Sequence, residues 1–397
     1  MATRAGTGLS ENGDAADAGR EATRLALENA GIDRADFVLV FATMPHRPRF
    51  AALLDEVQRI AGTSVLCGCS GAGVIAGGIE VEGGPAVAVL AVRSDRLRAT
   101  AVVEPAGEDQ GRAAAEALGR APNPPALFVT FTDPAAVRPE SLLEGLQASA
   151  PGAPAVGAAA SGTQGPGGTF QFCGRNVATR SIAALRIEGP LRRAVGVTQG
   201  CLPVGPPSRV TKAQENVVLE LDGRPALEVL RSRLPAALAE SLGRLGGHLF
   251  VGLPPDRSQT TIDDGEYLVR PLFAVDPARG ALLLGEEVHE GQPLAFVLRD
   301  GGAARDDLKS MLGRLAGEAP PSDWSFGLYF NCAGRGTGLY GFPGVDSAFI
   351  AGQFPRLPVA GLFGNAEIAP LRGANRLFTF TGVLALVGEN AAEAAPA

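Results

Sequence analysis

The chain has 397 residues, 46% of them hydrophobic, with 35 Lys and Arg against 42 Asp and Glu and a net charge of -7. That length exceeds what one hydrophobic core usually serves, so two domains or an internally repeated unit are expected, and the acidic balance argues against a nucleic-acid partner. The longest apolar run, Pro85 to Val92, is too short for a membrane span, and acidic residues stand where a signal peptide needs an apolar core, so a cytoplasmic protein without a membrane partner is expected.

An Ala-rich segment from Asp14 to Ala30, stopped by Gly31, reads as a helix. A strand at Phe37 to Thr43, a helix at Phe50 to Ala61, a run Val65 to Gly71 that breaks into glycine, and a strand at Ala86 to Val92 follow. The same order recurs as a strand at Leu127 to Thr132, a helix at Pro139 to Ala148, a glycine-broken strand at Ala155 to Gly162 and a strand at Ser181 to Ile187. A third copy comes from Phe326 to Cys332, Val345 to Gln353, Pro358 to Glu367 and Thr381 to Val387. An internal repeat explains this order, and so does ordinary α/β connectivity. Between the second and third copies the chain is strand-rich: Val217 to Leu221, Gly247 to Gly252, Tyr267 to Val275, Ala281 to Leu284 and Leu294 to Leu298, with a helix from Ala226. The expected class is α/β, with α+β as the alternative, in two domains of mixed sheets flanked by helices. A boundary is expected in the Pro- and Gly-rich segment Cys201 to Ser208.

The polar residues with the best claim to chemistry follow two apolar runs near the end. Phe330 leads into Asn331, Cys332, Gly334, Arg335 and Gly336, and Gly361 to Gly364 leads into Asn365 and Glu367. The glycines are expected to turn with positive φ and to let the backbone approach a ligand, and strand ends are where open α/β sheets bind small molecules. Arg335 and Glu367 either clamp the two ends of a zwitterion or pair with each other. Cys332 is a candidate nucleophile, a pocket wall or a packed apolar residue; as a nucleophile it needs a base, for which His248 or His289 would have to approach in space. Cys69, Ser70 and Gly71 are secondary candidates, but Ala72 stands where a nucleophile elbow needs glycine.

Five cysteines, Cys67, Cys69, Cys173, Cys201 and Cys332, are an odd set for a disulfide framework. Strand alternation is expected to point Cys67 and Cys69 to opposite faces, and His46, His248 and His289 lie far apart, so no metal site is expected.

The succession from Gly196 to Gly205, Val210-Thr211-Lys212-Ala213, Leu221 to Leu227, Val269-Arg270-Pro271-Leu272, Gly291-Gln292, Leu298-Arg299-Asp300, Cys332 to Gly336 and Glu367-Ile368-Ala369-Pro370 resembles FIST proteins, named for F-box and intracellular signal transduction. The resemblance spans about Asp36 to Leu386 and implies an N-terminal and a C-terminal FIST domain. Together with composition it divides the chain into a helical lead-in (1–35), an N-type domain (36–204), a C-type domain (205–388) and a disordered tail (389–397). It implies a bacterial stand-alone sensory module for small ligands, amino acids or related metabolites among them, working with a signalling partner. Haem is described in some relatives, but no histidine here falls on a matching motif, and neither an F-box nor an effector segment is recognisable. Relatives often carry His-Asn or a similar polar pair before the last strand, where this chain has Phe378-Thr379-Phe380. Two other functions stay open: a hydrolase or acyl transferase using Cys332, and an adaptor binding a protein through the strand-rich middle. The pattern favours binding over catalysis.

Overall fold

The computed structural model describes residues 3–105, 110–118, 126–137, 139–163, 165, 167–240, 242, 247–256, 258–262 and 266–390. The chain divides into two compact units, the first formed by Met1–Thr198, Leu308–Leu377 and Thr381–Ala397, the second by Gln199–Asp307 and Phe378–Phe380.

The first unit holds the three copies, and each is longer than the sequence suggests. A lead strand (Arg4–Ser10, Arg98–Pro105, Leu191–Gln199) and a lead helix (Ala15–Ala30, Gln110–Leu118, Gly301–Glu318) precede each central strand. The central strands are Phe37–Thr43, Ala126–Thr132 and Trp324–Cys332. Linking helices (Phe50–Ala61, Pro139–Ser149, Val345–Gln353) carry the chain to the glycine strands Leu66–Gly71, Ala155–Ala159 and Val359–Gly364, which lie parallel to the central ones. A short crossover hairpin follows, and the return strands Val87–Arg93, Ser181–Glu188 and Thr381–Glu389 close each copy antiparallel to its central strand.

The crossover hairpins tie the copies into a ring. That of copy 1 (Gly73–Ala76, Ile79–Glu82) pairs with the glycine strand of copy 3. The hairpin of copy 2 (Gln171–Cys173, Asn176–Ala178) pairs with copy 1, and that of copy 3 (Ala366–Leu371, Ala374–Phe378) with copy 2. One backbone bond marks each hand-over: Ala72 N donates to Phe363 O at 3.0 Å, Ser161 N to Ser70 O at 3.2 Å and Asn365 N to Ala159 O at 2.8 Å.

Two features at matching positions hold this ring. The central strands contribute Phe41, Phe131 and Phe330, all fully buried and packed edge to face with centroids 5.5, 5.8 and 6.3 Å apart. Opposite them, Gly68, Gly157 and Gly361 press so closely on the central strands that a Cβ would stand 1.8, 1.9 and 1.7 Å from the carbonyl oxygens of Val40, Thr130 and Tyr329. These mid-strand glycines therefore serve strand packing rather than ligand approach. Of the residues expected to turn with positive φ, Gly336 does so at 55°, whereas Gly334 and Gly364 do not.

The second unit follows the lead strand of copy 3 and takes in the start of the copy 3 lead helix, through Asp307. Six antiparallel strands, Ser208–Gln214, Val217–Leu221, Ala281–Leu284, Leu268–Asp276, Leu249–Leu253 and Pro293–Arg299, pair in a closed circuit, which removes free edges. Their interior holds Val218, Leu221, Val251, Leu282 and Phe296, and the helix Ala226–Arg233 packs Leu227 and Leu230 on it. Phe378–Phe380 joins this unit: the Thr379 hydroxyl donates to Val269 O at 2.6 Å and the Phe380 ring lies 4.0 Å from that of Phe250.

The molecule thus departs from a linear division near residue 205. The second unit begins at Gln199, and the third copy folds with the first two because its glycine strand must receive the copy 1 hairpin. The lead-in 1–35 is a strand and a helix rather than helix alone, since Arg4–Ser10 pairs along its full length with Val87–Arg93. Glu389, placed in the tail by composition, ends the last return strand and accepts hydrogen bonds from Thr3 N at 2.8 Å and Arg96 Nη1 at 3.2 Å. The rest of that tail, from 391, lies outside the described residues. Among the described residues no helix is long and apolar enough to cross a membrane.

Candidate functional site

Copy 3 carries buried charge at the end of its central strand. Tyr329 and Asn331, two residues apart, share one face of that strand. After Cys332 the chain turns tightly, with Arg335 N donating to Cys332 O at 2.8 Å, and the linking helix that follows opens with Asp346 in its first turn. Asp346 is fully buried and organises the cluster. Its Oδ2 accepts from Tyr329 Oη at 2.8 Å, Asn331 Nδ2 at 3.0 Å and Arg335 Nε at 3.2 Å. Its Oδ1 accepts from Tyr340 Oη at 2.7 Å and Arg335 Nη2 at 3.3 Å, and Arg335 Nη2 also donates to Tyr340 Oη at 2.8 Å.

Arg335 and Asp346 form an ion pair with side chains 1% and 0% exposed. Such a pair is costly to desolvate unless its remaining lone pairs and protons are hydrogen-bonded; the two tyrosines and the asparagine satisfy the Asp346 carboxylate, while Arg335 Nη1 has no partner among the described residues. Burial works against the Arg335 charge, yet the neighbouring Asp346 carboxylate holds it well above its ordinary range. Burial, reinforced by the same carboxylate, pushes the Tyr329 hydroxyl up as well.

The copy 1 hairpin fastens the segment over this cluster. Glu80 accepts from Ser347 N at 2.8 Å and Gly344 N at 3.0 Å, and its burial raises its pKa. Glu82 Oε1 accepts from Thr337 N at 3.0 Å and Oγ1 at 2.9 Å. Gly336 lies so close that a Cβ there would meet Glu82 Oε1 at 2.6 Å.

Glu367 enters from the first strand of the copy 3 hairpin and is fully buried. Its Oε2 accepts from Thr381 Oγ1 at 2.7 Å and Thr381 N at 3.3 Å. Burial pushes its pKa up to about 8 against the pull of Thr381, the Arg335 charge and a hydrogen bond from Cys332. Three buried atoms in this neighbourhood have no hydrogen-bond partner among the described residues: Asn331 Oδ1, Arg335 Nη1 and Glu367 Oε1.

The structure therefore gathers Asn331, Cys332, Arg335 and Glu367. Arg335 pairs with Asp346 and not with Glu367. Gly334 is half-buried, Gly336 seats against Glu82, and the Asn365 side chain is exposed while its backbone serves the ring. Of the secondary candidates, Cys69 is buried in the glycine strand, Ser70 Oγ donates to Ser161 O at 2.8 Å and accepts from Phe170 N at 3.0 Å, and Gly71 packs on Leu362. Cys67 and Cys69, two residues apart, share a face and do not oppose each other, and burial raises both thiols. His248 and His289 are exposed residues of the second unit; His46 is buried in the first, and burial lowers its pKa. Among the described residues no group of three or more His, Cys, Asp or Glu is placed to hold a metal.

Asp346, Tyr329 and Tyr340 escaped the sequence reading. The signal available was an aspartate interrupting the first turn of an apolar helix, eleven residues after a lone arginine.

Family profiles agree with this picture. The FIST N domain matches residues 36–224 and the FIST C domain residues 226–370. An uncharacterized protein of Mycobacterium tuberculosis strain H37Rv is 33% identical over 391 residues, 96% of this chain and 99% of that one. An uncharacterized protein of Mycobacterium bovis is 30% identical over 391 residues, 96% of this chain and 98% of that one. Among solved structures, a cyanuric acid hydrolase aligns over 98% of this chain and 100% of its own at 11% identity and a TM-score of 0.35. Another, from A. caulinodans, aligns over 46% and 70% at 15% identity and a TM-score of 0.25. Superposition at that level supports no inference about this chain. With both domain profiles matched in order and relatives similar along nearly their whole length, the chain belongs to the FIST family of signal-transduction sensory proteins.

Proposed function

We propose that the protein is a cytoplasmic small-ligand sensor whose binding site is the copy 3 cluster, and that its ligand is an amino acid or a related metabolite carrying both a carboxylate and an amino group. The observation that carries this reading is the set of three buried, unpartnered atoms around one ion pair. Arg335 Nη1 offers a donor for a carboxylate, while Asn331 Oδ1 and Glu367 Oε1 offer acceptors for an ammonium group. Buried polar groups are nearly always satisfied, so unpartnered ones beside a charge favour an incoming polar ligand. Access runs through the segment Ala333–Gly344, where Gly336, Gly341 and Gly344 take φ of 55, 81 and 82°. Its signalling partner is a protein that reads the state of this segment.

Calorimetric titration of amino acids in two buffers of different ionisation heat tests this. An ammonium group beside Glu367 favours the carboxylate, so binding at pH 7 should release a proton and tighten as pH rises through about 8. Glu367→Gln should weaken binding by about tenfold, the loss of one charge-assisted hydrogen bond. If no amino acid or amino acid derivative binds, or binding proceeds without proton release, the reading fails.

One contact supports a second reading. The hydrogen bond between Cys332 and Glu367 places a group of raised pKa beside a thiol, as a cysteine hydrolase or acyl transferase needs. In that case alkylation of Cys332 should depend on the Glu367 ionisation and lose that pH dependence in Glu367→Gln.

A further inference from the structure

A cleft of about 260 Å³ lies along the linking helix of copy 3, on the side facing the copy 1 lead strand. Its floor is apolar: Ile75, Ile350, Phe354, Leu357 and Val359. That volume suits a ligand on the order of ten non-hydrogen atoms. Thr7 and Asn29 add polar groups to its wall, and two more mark its ends. Ser347, in the first turn of the helix, is 2% exposed and lines the cleft; its hydroxyl lies beside the Glu80 carboxylate, which leaves the hydroxyl oxygen to accept from a ligand. Arg356, beyond the last turn, lines the mouth with φ of 76° and makes no hydrogen bond or ion pair among the described residues. A second hollow of about 560 Å³ shares Ala5, Arg356 and Pro358 with it and is lined by Arg4 as well as by Asp323 and Glu389. At about 1.5 Å per helical residue the helix runs on the order of 9 Å from Ser347 to its last residue, Gln353, and Arg356 follows three residues later.

We infer that this cleft binds a medium-chain carboxylate, its tail on the apolar floor and its carboxylate at Arg356. A cleft with an apolar floor and an exposed guanidinium at its mouth selects an amphipathic anion over a neutral chain. The Ser347 hydroxyl gives the far end a polar stop, so a chain with a terminal hydroxyl gains a hydrogen bond there that a plain alkyl chain lacks. This site shares the linking helix with the Arg335 and Asp346 cluster, Ser347 being next to Asp346, and takes a ligand of different chemistry.

The test is calorimetric titration of the full chain with octanoate, 8-hydroxyoctanoate and octanamide. Octanoate should bind more tightly than octanamide, and Arg356→Asn, which tolerates positive φ, should weaken octanoate by about fivefold while leaving octanamide unchanged. Ser347→Ala should abolish the advantage of 8-hydroxyoctanoate over octanoate. Ala351→Trp, at an exposed helix position lining the cleft, should block all three, and Ala351→Phe serves if the tryptophan variant misfolds. No binding of octanoate, equal binding of octanoate and octanamide, or full octanoate binding in the blocked variant would each overturn the assignment.

Discussion

In copy 2 the crossover strand places Gln171 where copy 3 places Glu367, for Gln171 faces Cys69 one step before Phe172 meets Gly68, and Glu367 faces Ala158 one step before Ile368 meets Gly157. The return strands answer alike: Ser181 Oγ donates to Gln171 Oε1 at 3.0 Å as Thr381 Oγ1 donates to Glu367 Oε2 at 2.7 Å. Gln171 is then satisfied, its Nε2 donating to Thr169 Oγ1 at 3.1 Å, whereas Glu367 keeps an unpartnered oxygen. At the central strand ends, copy 2 has Asp133, whose carboxylate accepts from the backbone N–H groups of Ala135 and Arg180 at 2.9 and 3.1 Å. Copy 3 has Cys332 there, with Arg335 and Asp346 close by. One backbone plan serves both, and both keep unpartnered buried atoms, but those of copy 2 are the neutral hydroxyls of Thr130, Thr132 and Ser161, whereas those of copy 3 include the ionisable groups of Arg335 and Glu367. That contrast separates scaffold from site without reference to any relative.

The largest effect that would break the contrast is the loss of Asp346. Asp346→Ala leaves Arg335 buried without its counter-charge and should cost about 3–5 kcal/mol in denaturant unfolding. Gln171→Ala removes only neutral hydrogen bonds and should cost about 1–3 kcal/mol. Equal costs would mean that the copy 3 pair is no different in kind from the copy 2 closure.

A smaller effect tests what the copies share. Gly68→Ala, Gly157→Ala and Gly361→Ala each force a Cβ into the neighbouring strand's carbonyl, and each should cost at least about 1–3 kcal/mol in unfolding measurements. Similar costs in all three support mechanical equivalence; a neutral Gly361→Ala beside two damaging variants would show that copy 3 is held differently.

Much of this scaffold is legible in the sequence. The central, glycine and return strands and the helices Phe50–Ala61 and Val345–Gln353 show themselves through apolar runs and capping glycines, and their recurring order fits a triple repeat as well as ordinary α/β connectivity. The lead strands are not legible, because Arg98–Pro105 and Leu191–Gln199 are half-exposed and pair on one side only, which leaves no continuous apolar run. The ring of hairpins is hidden for another reason: pairing between copies is a long-range choice that local pattern does not encode. At the site, Asn331, Cys332, Arg335 and Glu367 stand out as polar residues at strand ends, but the counter-ion Asp346 sits in a helix whose other buried residues conceal it.

The subtlest test exchanges the two copies' chemistry. Glu367→Gln installs at the copy 3 position the residue copy 2 already accommodates beside a hydroxyl, so the variant should fold. In the native protein burial lifts the Glu367 pKa from an ordinary 4.5 to about 8. Below pH 4.5 the group is protonated whether the chain is folded or not, and it costs nothing. As pH rises from there the unfolded chain ionises while the folded one keeps its proton, so stability falls by up to about 1.4 kcal/mol per pH unit until the folded pKa is passed. Glutamine carries no such titration. Wild type and Glu367→Gln should therefore have similar unfolding midpoints near pH 5 and diverge toward pH 8, with the variant the more stable at the alkaline end. Parallel pH profiles would mean that Glu367 is ionised in the folded protein at neutral pH, satisfied by Arg335 and Thr381, and that copy 3 resembles copy 2 more than its unpartnered oxygen suggests.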